Sequence, residues 1–395
     1  MNQSTSIYLD FIRFLAALVV FFSHASVEKF TGDNKFLTLF RAFDHDAVVI
    51  FFVLSGYVIT YVAHEKEKTI DIFFIKRFAK LYSVVIPALL ISLMLEMALV
   101  FSVLDFQLSH TDNYPALTYL VNLSFLNQIW FLNSSPFLNT PFWSLGYEFW
   151  YYVLFGALFY LKKHRAIVFL ILTLIVGPSV LMLFPVWLMG YCVYAISIRK
   201  RIPQLVGWLL FIGSIAAYFI YNIYGSKQAI LVFSYAIFQS YIGNDYINYL
   251  GWSKYVLSDL AVGLLVTANF IGFISISDKF KYVLERLEKP IRFFASFTFI
   301  LYLAHLPLLH FLAAIFKDLP IETSAPLVFL GTLLAIWLLA YVSEKKKRPY
   351  EKAFTFMFTG IGPKVILRFD VVINRVKTYL IGNCTLKKIA ITLSA

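Results

Sequence analysis

Ten apolar stretches, most of them close to twenty residues long, constrain this chain more than any other feature. They lie near residues 7–27, 46–63, 81–104, 142–161, 166–183, 185–198, 204–224, 255–276, 292–316 and 325–343. A run of about 18 or more apolar residues is long enough to cross the hydrocarbon core of a bilayer as a helix. In lipid every backbone N–H and C=O must be bonded within the protein, so only helices and closed barrels span. A barrel would show short alternating segments instead of long apolar runs. The expected fold is therefore an all-α polytopic membrane protein, with about ten transmembrane helices around a central cavity. Composition agrees: 14% of the residues are charged, where a soluble domain carries about a quarter. The stretch 185–198 is short for a span, and the run 228–243 reads as an eleventh, re-entrant or surface helix.

The formal net charge is +12. In a soluble protein that balance points to nucleic acid. Here the basic residues alternate by loop, and nucleic acid is not an expected partner. Loops after even-numbered stretches hold Lys66, Lys68, Lys76, Arg77 and Lys80, then Lys162, Lys163 and Arg165, then Arg199, Lys200 and Arg201. Lys279, Lys281, Arg286 and Lys289 follow, and then Lys345, Lys346, Lys347, Arg348 and Lys352. Loops after odd-numbered stretches hold only Lys29, Lys35, Arg41, Lys227, Lys254 and Lys317. The positive-inside rule then puts both termini in the cytoplasm of a multi-pass protein of the plasma (bacterial inner) membrane. The expected organisation is a transmembrane domain over 1–350 and a basic cytoplasmic tail over 351–395. Cys192 and Cys384 are too few for a disulfide framework or a Cys-rich metal site.

The first stretch carries ionisable residues where they are expensive: Asp10, Arg13 and His24. At about 100° per residue, Arg13 and His24 lie within roughly 20° of each other around a helix and about 16 Å apart along it. Asp10 falls on the same stripe, one turn from Arg13. One face thus stacks an acid, a cation and an imidazole along the membrane normal. A neutral imidazole in such a place can take a proton from a hydroxyl or be acylated itself.

A second cluster is Thr140-Pro-Phe-Trp-Ser-Leu-Gly-Tyr-Glu148. Pro141 and Trp143 suit a helix start at the outer interface, which sets Glu148 about 7–10 Å into the membrane. His24 lies near that depth, so His24 and Glu148 are expected in one cavity. The third cluster, Phe74-Ile-Lys-Arg-Phe-Ala-Lys80, sets Arg77 and Lys80 one turn apart on one face, where they can hold phosphates. Weaker signals are His305 in mid-stretch, Glu96 without an obvious partner, Asp259 as a helix cap, and His45 and Asp46 as solvated flanks. There is no phosphate-binding Gly loop, no Gly-x-Ser-x-Gly elbow and no metal-spaced His/Asp set, so no metal site is expected.

These residues resemble the acyltransferase-3 family of integral membrane acyltransferases, which includes O-antigen and exopolysaccharide O-acetylases. The likeness covers about residues 5–350 and rests on four motifs in order. They are Arg13-x10-His24, Phe51-Phe-Val-Leu-Ser-Gly-Tyr-Val-Ile59, Trp143-Ser144-Leu-x-x-Glu148 and Ser296-x4-Leu-Tyr-Leu-x-His305. The family's Arg-x-x-Arg appears here as Arg77-Phe-Ala-Lys80, which keeps the charge and loses one bidentate fork. The resemblance implies transfer of an acyl group, usually acetyl, from cytoplasmic acyl-CoA to a hydroxyl of a cell-surface glycan or its lipid-linked precursor. It implies His24, Glu148 and Arg13 as catalytic residues. Asp10, Arg77, Lys80, Trp143, Ser144 and His305 are then substrate-binding, with acyl-CoA as donor substrate rather than a resident cofactor. The alternative from another class is a proton-coupled secondary transporter using Asp10, Arg13, His24 and Glu148 as a relay. The absence of an internal repeat weighs against it.

Overall fold

The structure, a computed structural model, describes residues 1–102, 115–136, 138–199, 202–243, 247–343 and 347–360. The described residues contain helices and no strand. The main helices are α1 (Gln3–Ala25), α2 (Asp44–Glu65), α3 (Ile70–Ser102), α4 (Trp143–Tyr160), α5 (Arg165–Val176) and α6 (Pro178–Arg199). They continue as α7 (Gln204–Ile223), α8 (Ser226–Ile242), α9 (Val256–Ile276), α10 (Lys281–Ala295), α11 (Thr298–Ile315), α12 (Ile321–Ser343) and α13 (Lys347–Gly360).

Eight described helices, not ten, are long and apolar enough to cross a membrane: α1, α2, α3, α6, α7, α9, α11 and α12. The difference has two causes. The fourth stretch does form a helix, α4, but Glu148 and four tyrosines lower its apolar character, and most of its side chains are buried among its neighbours. The fifth and sixth stretches divide at Gly177–Pro178 rather than at Pro185, leaving a 12-residue α5 and a 22-residue α6 that runs through Pro185. Gly177 has φ +81°, and a Cβ there would sit 2.8 Å from the Trp130 backbone. A left-handed Gly ending one helix and a Pro starting the next override a proline inside an apolar run.

Two further boundaries move. The third stretch begins at Ile70, so Arg77 and Lys80 lie within the helix rather than before it. The ninth breaks near Ser296, giving the amphipathic α10 and the apolar α11. The run 228–243 forms α8, largely exposed and packed on α7 and α9. Helix α13 spans the expected domain boundary at 350 and packs on α3, with Phe354 and Phe358 against Phe78. Residues 361–395, the rest of the expected tail, lie outside the described residues, as do 103–114.

Packing is tightest where small residues meet. Gly56 of α2 and Gly190 of α6 face each other, and a Cβ on Gly56 would lie 2.0 Å from the Trp187 carbonyl oxygen. In a membrane, helices associate through such close van der Waals approach rather than hydrophobicity. The glycine of Phe51-Phe-Val-Leu-Ser-Gly56 therefore has a structural reason. Seating α2 on α6 also turns the neighbouring Ser55 toward the interior.

Candidate active site

Two rungs join α1 to the α10–α11 pair. At one level Asp10 receives Arg13 through Oδ1 at 3.1 Å and Arg292 through Oδ2 at 2.9 Å. Arg292 also pairs with Glu288 at 2.7 Å. At the other level His24 Nδ1 lies 2.7 Å from His305 Nε2, the two rings nearly parallel at 12°. His24 is 14 residues beyond Asp10, and His305 is 13 beyond Arg292, so the rungs stand about 20 Å apart at 1.5 Å per residue.

The second rung determines a tautomer. His305 is fully buried, and its Nδ1 lies 2.8 Å from the Leu301 carbonyl. A carbonyl only accepts, so Nδ1 carries the proton and Nε2 is a lone pair. That lone pair accepts from His24 Nδ1–H. The His24 proton is then committed to Nδ1, which leaves Nε2 of the half-buried His24 as a proton acceptor or nucleophile. Sequence pattern marked both histidines. Their pairing came only from folding α11 alongside α1.

A cleft with about 680 Å³ of atom-free space, the open solvent at its mouth included, runs among α1, α2, α3, α4 and α11. Arg13, Arg77, Lys80, Ser144 and Glu148 line it, together with Ser55, Tyr152 and Tyr302. Along α2 the lining extends from Val48 to Ile59, eleven residues, or about 16 Å. At the Val48 end Ser144 Oγ and the Tyr302 hydroxyl are hydrogen-bonded at 2.9 Å. Tyr302 lies three residues before His305, and their rings are 6.4 Å apart, so this end of the cleft adjoins the imidazole pair.

Glu148 sits at the centre of a polar chain. Trp187 Nε1–H donates to Ser55 Oγ at 3.2 Å, and Ser55 donates to Glu148 Oε1 at 2.9 Å. The Tyr152 hydroxyl donates to the same Oε1. Glu148 thus shares the cleft with the three cations. His24 is not among the residues lining this cleft. Ser144, Glu148 and Tyr152 share one face of α4, and the Tyr302 hydroxyl bonded to Ser144 belongs to the helix that carries His305.

Arg77 is less available than its motif suggests. It is buried, and its Nη2 donates to Glu67 Oε1 at 2.6 Å. Glu67 is also buried, so the two charges largely neutralise each other. Lys80 lies over the Phe299 ring at 5.1 Å. Trp143 stacks with His45 and Trp252 rather than entering the cleft. Asp259 is no simple cap; it accepts from His45 Nε2 at 2.8 Å. Asp46, read as solvated, is buried and accepts from Lys227 and Tyr218. Glu96 accepts from the Tyr119 hydroxyl at 2.9 Å. Of the residues missed from sequence, Tyr152 carried a signal, its i+4 spacing from Glu148. Tyr302 stood within the Leu-Tyr-Leu-x-His305 motif, and Glu67 and Arg292 carried no signal.

A bundle of apolar helices, an imidazole with a fixed free nitrogen, and a cation-lined cleft adjoining the imidazole pair define a membrane enzyme of the group-transfer class. A family model described as an acyltransferase domain matches residues 6–343, and the chain belongs to that family, the acyltransferase-3 membrane acyltransferases. It is also similar to a protein named acyltransferase MdmB from Streptomyces mycarofaciens, 31% identical over 149 residues. That match spans about a third of each chain, 36%. No solved structure matches the chain.

Proposed function

We propose that this membrane acyltransferase moves an acyl group, acetyl first among the candidates, from acyl-CoA to a hydroxyl of a cell-surface glycan or its lipid-linked precursor. The observation that carries the reading is the cleft with three cations along it and the His24–His305 pair adjoining its Tyr302 end. The phosphates of CoA are too polar for hydrocarbon and stay at the basic mouth, on the cytoplasmic side of the inner membrane, where both termini lie. Arg13, Arg77 and Lys80, the three cations lining the cleft, are the groups that meet them.

The pantetheine arm then follows the cleft, about 16 Å long from Ile59 to Val48. Movement of the Tyr302 hydroxyl away from Ser144 opens the passage to His24. His24 Nε2 takes the proton of the acceptor hydroxyl, whose oxygen attacks the thioester carbonyl. The carbon–sulfur bond breaks, the ester forms, and the CoA thiolate recovers the proton from His24. Direct transfer is the simpler reading, because the lone pair on Nε2 is suited to a base and an acyl-imidazole hydrolyses readily.

The test is acetyl-CoA consumption by purified protein, paired with mass spectrometry of surface glycans from cells with and without the gene. Turnover that produces acylated glycan, lost in His24→Ala with insertion intact, is the expected result. Unchanged glycans and unchanged turnover in His24→Ala overturn the proposal. A stable acyl-His24 adduct formed with acetyl-CoA alone overturns the direct route in favour of a covalent one.

A further inference from the structure

A second imidazole–carboxylate pair lies outside the cleft and is not used in the transfer step above. His45, near the start of α2, donates through Nε2 to Asp259 Oδ1 in the first turn of α9, at 2.8 Å. Asp259 is fully buried, and its Oδ2 has no hydrogen-bond partner. The carboxylate commits an imidazole proton to Nε2, which leaves Nδ1 as the ring nitrogen that meets a ligand. The His45 side chain keeps 16% of its surface exposed, so this pair is reachable from outside the helix core.

Aromatic rings surround it. The His45 ring lies 6.0 Å from Trp143 at 17° and 5.6 Å from Trp252 at 22°. The two indoles stack on each other at 5.4 Å and 22°, and Tyr255 stands edge-on to His45 at 5.4 Å. Trp143 is buried beneath, while Trp252 and Tyr255 are half-buried and offer open ring surface. The other charged groups here are Asp44, bonded to Ser23 and to the His45 backbone, Asp46, paired with Lys227, and Lys254 over Tyr255.

The position is specific. Ser23 beside His24 donates to Asp44 beside His45, so both imidazoles lie at the same end of the bundle. Val48, one turn along α2 from His45, and Ser144, next to Trp143, both line the cleft. The aromatic cluster is thus at the far end of the cleft from the basic mouth.

The chemistry selects a ligand class. A purely apolar ligand would cover His45 Nδ1 without giving it a partner, which is costly in a dry site. An anionic ligand meets Asp44, Asp46 and Asp259. A neutral ring with an apolar C–H face and several hydroxyls satisfies both the indoles and the imidazole. We propose that His45, Asp259, Trp143, Trp252 and Tyr255 form the acceptor subsite and take one pyranose ring of a glycan. The ring stacks on Trp252 and Tyr255, and a hydroxyl hydrogen-bonds with His45 Nδ1. This rests on the glycan-acylation reading above.

The experiment uses purified full-length protein, radiolabelled acetyl-CoA and a panel of octyl pyranosides as acceptors. For the best glycoside, Trp252→Ala raises the acceptor KM by about tenfold or more, as expected when stacking that serves ground and transition states alike is lost. Trp252→Phe, which keeps a ring, recovers most of that loss, and His45→Gln also raises the acceptor KM. The KM for acetyl-CoA holds in all three, which shows that the fold survives. An unchanged acceptor KM in both Trp252→Ala and His45→Gln overturns the subsite while leaving the glycan reading in place. A parallel rise in the acetyl-CoA KM overturns it too, because the cluster then supports the fold generally. Failure of the unaltered protein to acylate any pyranoside, while it still consumes acetyl-CoA, overturns the glycan reading and the subsite with it.

Discussion

Replacing His305 by Phe isolates the role of one lone pair. Phe fills nearly the same space and keeps a ring beside Phe21, which His305 meets edge-on at 6.1 Å. What disappears is the acceptor 2.7 Å from His24 Nδ1. A net hydrogen bond of about 1 kcal/mol is lost, and a donor left buried without a partner costs about 1–3 kcal/mol. His24 escapes that cost by moving its proton to Nε2, the nitrogen proposed above as the base. A general base is worth about 10²–10⁴ in rate, and disabling the orienting partner of a catalytic imidazole has cost about 10⁴ in a protease triad. The expected result is a kcat lower by two to four orders of magnitude, with the KM for acetyl-CoA unchanged, since Arg13 lies near the other rung. Steady-state turnover measures the first effect. ¹⁵N NMR of histidine-labelled protein reads the second, because protonated and bare ring nitrogens resonate apart: Nε2 of His24 gains the proton in the variant. His305→Gln, which restores an amide oxygen, recovers part of the rate. A folded His305→Phe protein with kcat within threefold of the unaltered enzyme refutes the tautomer argument.

Three further outcomes follow from the packing and charge arrangement. Gly56→Ala forces α2 and α6 apart, because no rotamer relieves a Cβ 2.0 Å from a backbone oxygen; the thermal midpoint falls sharply, by an amount typical of overpacking, about 1–3 kcal/mol or more. Arg77→Met alone leaves Glu67 as a buried uncompensated charge and costs about 3–5 kcal/mol, seen as loss of folded protein, whereas Arg77→Met with Glu67→Leu recovers it. If the single variant is as stable as the double one, the pair is not structural. Lys80→Ala leaves insertion intact and raises the KM for acetyl-CoA roughly tenfold with kcat nearly unchanged; an unaltered donor KM removes Lys80 from the phosphate site.

Much of the site was legible because it is written at helical spacing. Asp10 and Arg13 pair because three residues are one turn, and Tyr152 reaches Glu148 because four are. Ser55 and Gly56 were visible as a motif, but their separate roles, hydroxyl to Glu148 and close approach to α6, needed the neighbouring helix. The Gly177–Pro178 boundary was readable in principle and was obscured by Pro185. The pairing of Arg77 with Glu67 was not readable, because their ten-residue separation crosses the turn between α2 and α3.

By itself the sequence determined the solvent this chain folds in, the helical character of its elements and the family it belongs to. These follow from local quantities: apolar run length, backbone satisfaction in lipid, and residues repeated one or three turns apart. Tertiary structure alone decided which polar groups meet. His305 lies 281 residues from His24, Asp259 lies 214 from His45, and Arg292 lies 282 from Asp10. Partners so far apart in the chain come together only through the rotation and register of whole helices, which packing of small and aromatic residues sets. The tautomer of His24, the confinement of Glu148 to the cationic cleft and the neutralisation of Arg77 are all consequences of that packing.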